Sequence, residues 1–448
     1  MAAPFQPAAG APPGAARRRL VLLGAALVLT VAATRAPFLA MRLAGEEGAN
    51  GRGIVLVAQG HLPRMIIARS AGGREFVNPA GHNLGGYLLP GALFAPVLRA
   101  TGFQTIPQRV HAAVGLRGVY AALFAVALLF GLAIVAPERR GRAALLLVAL
   151  TLPTLPLVAS VQVNYDGAVT VLLVLATLFL FQRAVERRSI GWACAAGALL
   201  GFGKLEYVVS VAVALLIAEA VALRARLWPP FAALLVASIL VWRRLDPENF
   251  NYGYDVIGRF WNMQGGTGAP LVSRALEYGR ANLALLWPLY ASLCVALVWS
   301  AARRRRVRAL LPIGLSMAFI LVGYHAVAWP GDHFPRYFAP CFPLAAILLA
   351  ELDAPPALGV GLAALLLCVA VPEYVRRYGE RDHLLSTLIH TSSDDLALAR
   401  ELEAHPRGCI TVTGMDSGVS FYSSRASFAC CFAQWTGWHT KIGESLCP

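Results

Sequence analysis

Two adjacent carboxylates, Glu46 and Glu47, sit between Gly45 and Gly48 directly after an apolar run. A carboxylate at the edge of a low-dielectric region has its proton affinity raised, which suits a general base. The competing reading is a pair of solvated loop acids, so the pair needs partners. Three later places offer them: Arg336-Tyr337 followed by Pro340 and Pro343, Lys204 after Gly203, and Asn164-Tyr165-Asp166. A guanidinium grips phosphate through its planar fork, and an ammonium adds a point charge. Glutamate as base for an attacking hydroxyl, with cations on a departing phosphate, is the equipment of group transfer. Plainer roles compete here too, because Arg336 can anchor a helix end at a membrane surface and Lys204 can pair with Glu206. Asp166 and Asp332 are candidates for acceptor or metal contact. Glu46 or Glu47 is the candidate for a divalent cation, although no metal-ligand spacing occurs, and His325 and His333 flank one link without completing a zinc pattern.

The elements that position these groups must lie in a membrane. Of 448 residues, 58% are hydrophobic and only 14% charged, with mean hydropathy +0.61. Soluble domains carry about 45–50% apolar and about 25% charged residues. A soluble enzyme, a disordered chain and collagen are excluded. Net charge is +15, nearly all from arginine, since only Lys204 and Lys441 are lysines. Cytoplasmic loops of membrane proteins collect such charge, so no nucleic-acid partner is implied.

A bilayer core needs about 20 mostly apolar residues per helix. The runs 20–40, 115–136, 143–160, 166–182, 190–203, 205–223, 228–242, 281–301, 309–330, 337–351 and 357–371 give about eleven spans. A further run, 84–98, is broken by Gly85, Gly86 and Pro90. Read as a helix lying at the interface, it leaves the arginine clusters at 17–19, 139–142, 183–188, 224–226 and 303–308 on one side, as the positive-inside tendency demands. The amino terminus is then cytoplasmic and the carboxyl terminus outside. The first run reaches Ala40 without a convincing small-residue cleavage site, which favours a retained anchor over a signal peptide.

This threading divides the chain into a transmembrane part, residues 1–371, with outer loops 41–114 and 243–280, and an outer tail, 372–448. The 243–280 loop is rich in aromatic and amide residues, among them Tyr252, Tyr254, Trp261 and Asn262, which suit sugar rings or an interface. In the tail, Ser392-Ser-Asp-Asp395 opens a helix-like run to Leu402, and Cys409 to Thr413 reads as a strand. The expected fold is therefore an all-α polytopic membrane protein with interfacial helices in the first outer loop and a small C-terminal α/β appendage. Cys409, Cys430, Cys431 and Cys447 crowd that appendage, where disulfides in any of three connectivities are open to them.

The order of these features resembles the GT-C superfamily of glycosyltransferases that use polyprenyl-phosphate sugars, including protein O-mannosyltransferases and aminoarabinose transferases. Glu46-Glu47-Gly48, an apolar stretch and Gly60-His61-Leu62-Pro63 resemble the opening of that family's first outer loop. Asn78-Pro79-Ala-Gly-His82-Asn83-Leu-Gly-Gly-Tyr87 resembles its interfacial segment, and Asn164-Tyr165-Asp166, Gly203-Lys204 and Arg336-Tyr337 resemble three later landmarks. The likeness covers roughly residues 17–350 and rests on order rather than on any single motif. Two departures stand out: Glu46 replaces the commoner leading Asp, and Asn83-Leu84 replace a double proline after His82.

The resemblance implies transfer of a sugar from a polyprenyl-phosphate donor to an acceptor hydroxyl on the outer face, with inversion at the anomeric carbon. Glu46 or Glu47 would act as base, Arg336 and Lys204 would bind the donor phosphate, and His82, Asp166, Tyr337 and Asp332 would contact substrate. Arginine-heavy, lysine-poor usage points to a bacterial inner membrane. A multi-pass transporter or lipid flippase is the rival function; it predicts ionisable groups buried in mid-span and matched broken helices. A non-catalytic scaffold displaying the cysteine-bearing tail is a third, and it predicts no requirement for either glutamate.

Overall fold

Lipid offers a backbone no hydrogen-bond partner but itself, so the apolar runs fold as helices. The computed structural model describes residues 13–43, 46–61, 66–70, 73–77, 85–223, 226–245, 247, 271–302, 307–327, 335–352, 355–379, 395–404, 410–413, 418–423 and 426–429. Helix α1, Pro13–Arg35, ends where Pro37 tightens the chain into a 3₁₀ turn, Ala36–Phe38. Helix α2, Glu46–Ala58, carries the acidic pair in its first turn. It stops at Gly60, whose φ of 89° suits only a residue without Cβ. An antiparallel hairpin follows, β1, Ile66–Ser70, and β2, Gly73–Val77, with Ile66 opposite Val77.

The run expected to lie at the interface is helix α3, Gly85–Thr101, with Pro90 and Pro96 inside it. It packs on α2, where Gly91 leaves room for Val57. Helix α4, Ile106–Ile134, begins in a capping box between Thr105 and Gln108. At ~1.5 Å per residue it is about 43 Å long, longer than the roughly 30 Å hydrocarbon core. One end therefore projects beyond the core.

The expected span over 143–160 is two helices, α5, Arg140–Thr151, and α6, Thr154–Ala159, because Pro153 lacks the amide that would continue the ladder. An irregular segment, 160–164, and one π-helical turn, Tyr165–Val169, lead into α7, Thr170–Arg187. Helix α8, Ile190–Leu200, and α9, Leu205–Ala218, flank the turn that carries Lys204, and a π turn extends α9 to Leu223. Then come α10, Trp228–Leu245, α11, Leu271–Ala281, α12, Leu283–Ala302, and α13, Val307–Val327. A 3₁₀ turn, Pro335–Phe338, precedes α14, Cys341–Glu351, and α15, Pro356–Gly379, follows it. The tail contributes α16, Asp395–Ala404, β3, Ile410–Thr413, α17, Val419–Tyr422, and β4, Ala426–Ala429, with β3 and β4 parallel.

Among the described residues five helical stretches are long and apolar enough to span a bilayer: Arg18–Phe38, Ile106–Ile134, Tyr165–Arg187, Leu205–Leu223 and Ala357–Gly379. Ile190–Leu200, Leu283–Ala296 and Leu310–Gly323 are shorter apolar helices. The protein is an integral membrane protein built mostly of helices. Its core runs along α4, α7 and α14, whose Phe124, Leu128, Val171, Leu175 and Ile347 are buried. Arg139 and Arg142 grip backbone carbonyls of Glu351, Ala350 and Leu352 at the carboxyl end of α14, whereas Arg336 stands just ahead of its amino end. The basic link and Arg336 thus lie at opposite ends of one helix.

Candidate active site

Glu47 is fully buried and faces a fully buried partner, Arg117, from the middle of α4. Arg117 Nη1 and Nη2 donate to Glu47 Oε1 and Oε2, both at 2.8 Å, a two-pronged geometry that fixes both planes. The rest of the guanidinium serves the chain ahead of the acidic pair. Nε donates to the Met41 carbonyl at 2.9 Å, and Nη2 to that of Arg42 at 2.6 Å. Nη1 also reaches the Val161 carbonyl at 3.0 Å. Glu47 Oε1 in turn accepts the Val163 amide at 2.8 Å.

A second residue of α2 holds the same segment. Asn50 Nδ2 donates to the Val163 carbonyl at 3.3 Å, and its Oδ1 accepts from the Tyr87 hydroxyl of α3 at 2.7 Å. Segment 160–164 is thereby tied to the acidic helix through both the amide and the carbonyl of Val163. Its last residue, Asn164, caps the following turn by accepting the Asp166 amide at 3.0 Å. Gly167 makes the turn possible, since a Cβ there would strike the Ala159 carbonyl oxygen.

Asp166, fully buried, is where the sequence's basic landmarks converge. Lys204 Nζ donates to its Oδ1 at 3.1 Å, and Arg336 Nε stands 3.4 Å from Oδ2. Lys204 also faces Glu206 Oε1 at 3.4 Å and lies over the rings of Tyr337, 4.5 Å, and Tyr165, 5.1 Å. Arg336 lies over Tyr337 at 5.6 Å. The link that bears Arg336 is fastened to α9, where the Tyr207 hydroxyl donates to the Tyr337 carbonyl at 2.9 Å. Lys204 and Arg336 are both nearly buried. Burial lowers the proton affinity of Lys204, but Asp166, then Glu206 and Tyr337, raise it by more, and the balance lies well above the ordinary lysine value. Its acidic neighbours thus favour the charged form of the lysine.

Asp166, Lys204, Arg336 and Tyr337 thus form one cluster. Counting Asp166 and Glu206 as −1 each and Lys204 and Arg336 as +1 each leaves the four-residue centre neutral, with both cations held side by side. Through residues 163–166 this cluster is continuous with Glu47. Glu46 stands beside Glu47 in the first turn of α2. The candidates His82 and Asp332 lie outside the described residues, as do the four tail cysteines. The structure adds Arg117, Asn50 and Tyr87 to the site. Arg117 carried a signal in the sequence: an arginine at the start of an apolar run, 115–136, faces protein rather than lipid.

A divalent cation does not fit at Glu47, because Arg117 and the Val163 amide engage both carboxylate oxygens. Among the described residues no three of His, Cys, Asp and Glu gather as a ligand set.

No protein-family model and no curated protein matches the sequence. Solved structures do. The oligosaccharyltransferase AglB from the archaeon Archaeoglobus fulgidus, in complex with an inhibitory peptide and a dolichol-phosphate, is 13% identical with TM-score 0.51; the match covers 92% of this chain and 64% of AglB. The chain thus spans less than two thirds of the length of that protein. The apo form of an A. fulgidus oligosaccharyltransferase is 14% identical with TM-score 0.47, over 91% of this chain and 64% of that one. ArnT from Cupriavidus metallidurans, bound to undecaprenyl phosphate, is 17% identical with TM-score 0.49, over 93% of this chain and 75% of ArnT. At such identities the likeness speaks of fold alone, and the chain shares the polytopic helical fold of AglB.

Proposed function

We propose that the protein is a membrane glycosyltransferase that moves a sugar, hexosyl or pentosyl, from a polyprenyl-phosphate donor to an acceptor hydroxyl on the outer face. The observation that carries the reading is the convergence of two buried cations, Lys204 and Arg336, on buried Asp166 in a helix bundle whose fold neighbour AglB holds a dolichol-phosphate. Glu47 is committed to Arg117, so the base role falls to Glu46. The Glu46 carboxylate takes the acceptor proton, and the acceptor oxygen attacks the anomeric carbon from the side opposite the phosphate. The carbon–oxygen bond to the phosphate breaks with its electron pair on the phosphate, which Arg336 and Lys204 stabilise. Inversion follows from that single displacement, and the proton on Glu46 returns to solvent.

Asp166 sits between the two cations, and the Tyr337 ring lies against both. His82 and Asp332 remain candidates for substrate contact. A divalent cation, if used, would take Glu46, and no step here is routed through it. In this threading the amino terminus is cytoplasmic, the tail is outside, and the membrane is a bacterial inner membrane. The experiment is transfer of labelled sugar from polyprenyl-phosphate donors by purified protein, comparing wild type with Glu46→Gln and Arg336→Ala. Loss of about a hundredfold or more is expected for each. Wild-type rates in both variants, with a donor that is demonstrably used, would reject the assignment.

A further inference from the structure

The tail reaches the acidic helix directly. Helix α17 lies across α2, with the Phe421 ring so close over Gly51 that a Cβ there would come within 2.7 Å of it. Next to it the Tyr422 hydroxyl oxygen accepts the Leu43 amide at 2.8 Å, and both aromatic side chains are buried. The tail is latched to the membrane body by Arg109 in the first turn of α4. Its Nη1 donates to the Tyr422 carbonyl at 2.7 Å and faces Glu403 Oε1 of α16 at 3.4 Å. Ser423 Oγ donates to the same Glu403 oxygen at 3.0 Å. On the opposite side Arg117 holds the carbonyls of Met41 and Arg42. The stretch just ahead of the acidic pair is therefore gripped from two sides, and only one grip belongs to the transmembrane body.

We propose that the C-terminal appendage is a positioning element of the catalytic site, with Tyr422 fixing Leu43 ahead of α2 and Arg109 serving as the latch. The inference rests on the reading of the acidic pair as the source of the base. Tyr422 touches no reacting atom; it acts through the backbone at Leu43. Base catalysis loses rate steeply when the base is displaced by about 1 Å. Lys204 and Arg336 are held by Asp166, and the link that bears Arg336 by Tyr207, all in the membrane body. Freeing Leu43 should therefore slow turnover and leave phosphate binding alone.

The test uses the full chain in lipid nanodiscs, with Tyr422→Phe, which removes one hydroxyl, and Gly51→Ala, which pushes Phe421 off α2. Three quantities are read: amide exchange over residues 41–51, affinity for undecaprenyl phosphate, and kcat and KM for sugar transfer. Exchange over 41–51 should quicken and kcat fall, each about tenfold, with phosphate affinity and donor KM unchanged. Wild-type exchange and kcat in both variants would overturn the proposal. So would a parallel loss of phosphate affinity and kcat, which marks general unfolding. Quickened exchange in the variants of a protein that transfers no sugar from any polyprenyl-phosphate donor would support the grip on α2 and reject the proposed enzyme instead.

Discussion

Glu47 and Val163, 116 residues apart, meet through a 2.8 Å hydrogen bond from the Val163 amide to the Glu47 carboxylate. That bond joins the two halves of the site. On one side lies the helix that opens with the acidic pair; on the other, three residues further, is the aspartate that collects Lys204 and Arg336. Glu47, one of the two glutamates between which the sequence leaves the base role open, is thus a strut, held at full burial by Arg117.

The strut predicts opposite behaviour for neighbouring glutamates. Glu47→Ala leaves the Arg117 guanidinium buried without its acid, a change that costs ~3–5 kcal/mol. Melting of the detergent-solubilised protein should show it. Replacing both partners, Glu47→Leu with Arg117→Met, should recover only part of the loss, because the buried charge is gone but the Met41, Arg42 and Val161 carbonyls and the Val163 amide lose their partners. Glu46→Gln should melt like wild type and lose transfer. A Glu47→Ala protein as stable as wild type would refute the strut.

The cationic pocket should be insensitive to moderate alkali. Lys204 is raised above its usual 10.5, so its folded charge, and any stability it lends, is complete below that value and declines only as pH passes the higher native one. Affinity for undecaprenyl phosphate is therefore expected to stay level between pH 7 and about 10. Arg336→Ala should weaken that affinity by about tenfold or more, since a charge-assisted contact is worth ~1.5–3 kcal/mol. A decline of wild-type affinity across that range would show a lysine titrating without Asp166.

The helical character of the apolar runs was legible because lipid imposes one rule on every long apolar run, although only five helices among the described residues are long and apolar enough to cross it. Interruptions were less so: the 143–160 run reads as one span until Pro153 is weighed against helix continuity. The cluster partners Lys204, Arg336 and Asp166 could be nominated as unusual polar residues at helix ends. Their convergence, and the choice of Glu47 by Arg117, are tertiary facts that no local pattern carries. The tail's grip was illegible for another reason. Tyr422 sits in a four-residue helix among small polar residues, where nothing marks it as a partner for Leu43, 379 positions away.

Gly167 gives a backbone test of the same site. The turn that lifts Asp166 toward Lys204 passes so close to the Ala159 carbonyl that any Cβ would collide with it. Gly167→Ala should cost ~1–3 kcal/mol through forced backbone movement and should weaken undecaprenyl phosphate binding more than Gly118→Ala, whose site is open. Equal binding by the two variants would mean that the turn does not set the place of Asp166.

The threading itself is open to chemistry in intact cells. Gln59 is exposed just past α2, on the element that carries the acidic pair, and Arg187 is exposed at the far end of α7 from Asp166. Helix α7 with its preceding turn, Tyr165–Arg187, is 23 residues, about 34 Å and long enough to cross the hydrocarbon core. The two positions should therefore be on opposite sides of the membrane. In a chain with its native cysteines replaced, Gln59→Cys should react with an impermeant maleimide from outside, and Arg187→Cys only after the membrane is opened. Reaction of Arg187→Cys in sealed cells would invert the orientation and put the phosphate pocket on the cytoplasmic side, where an outward-facing transferase has no use for it.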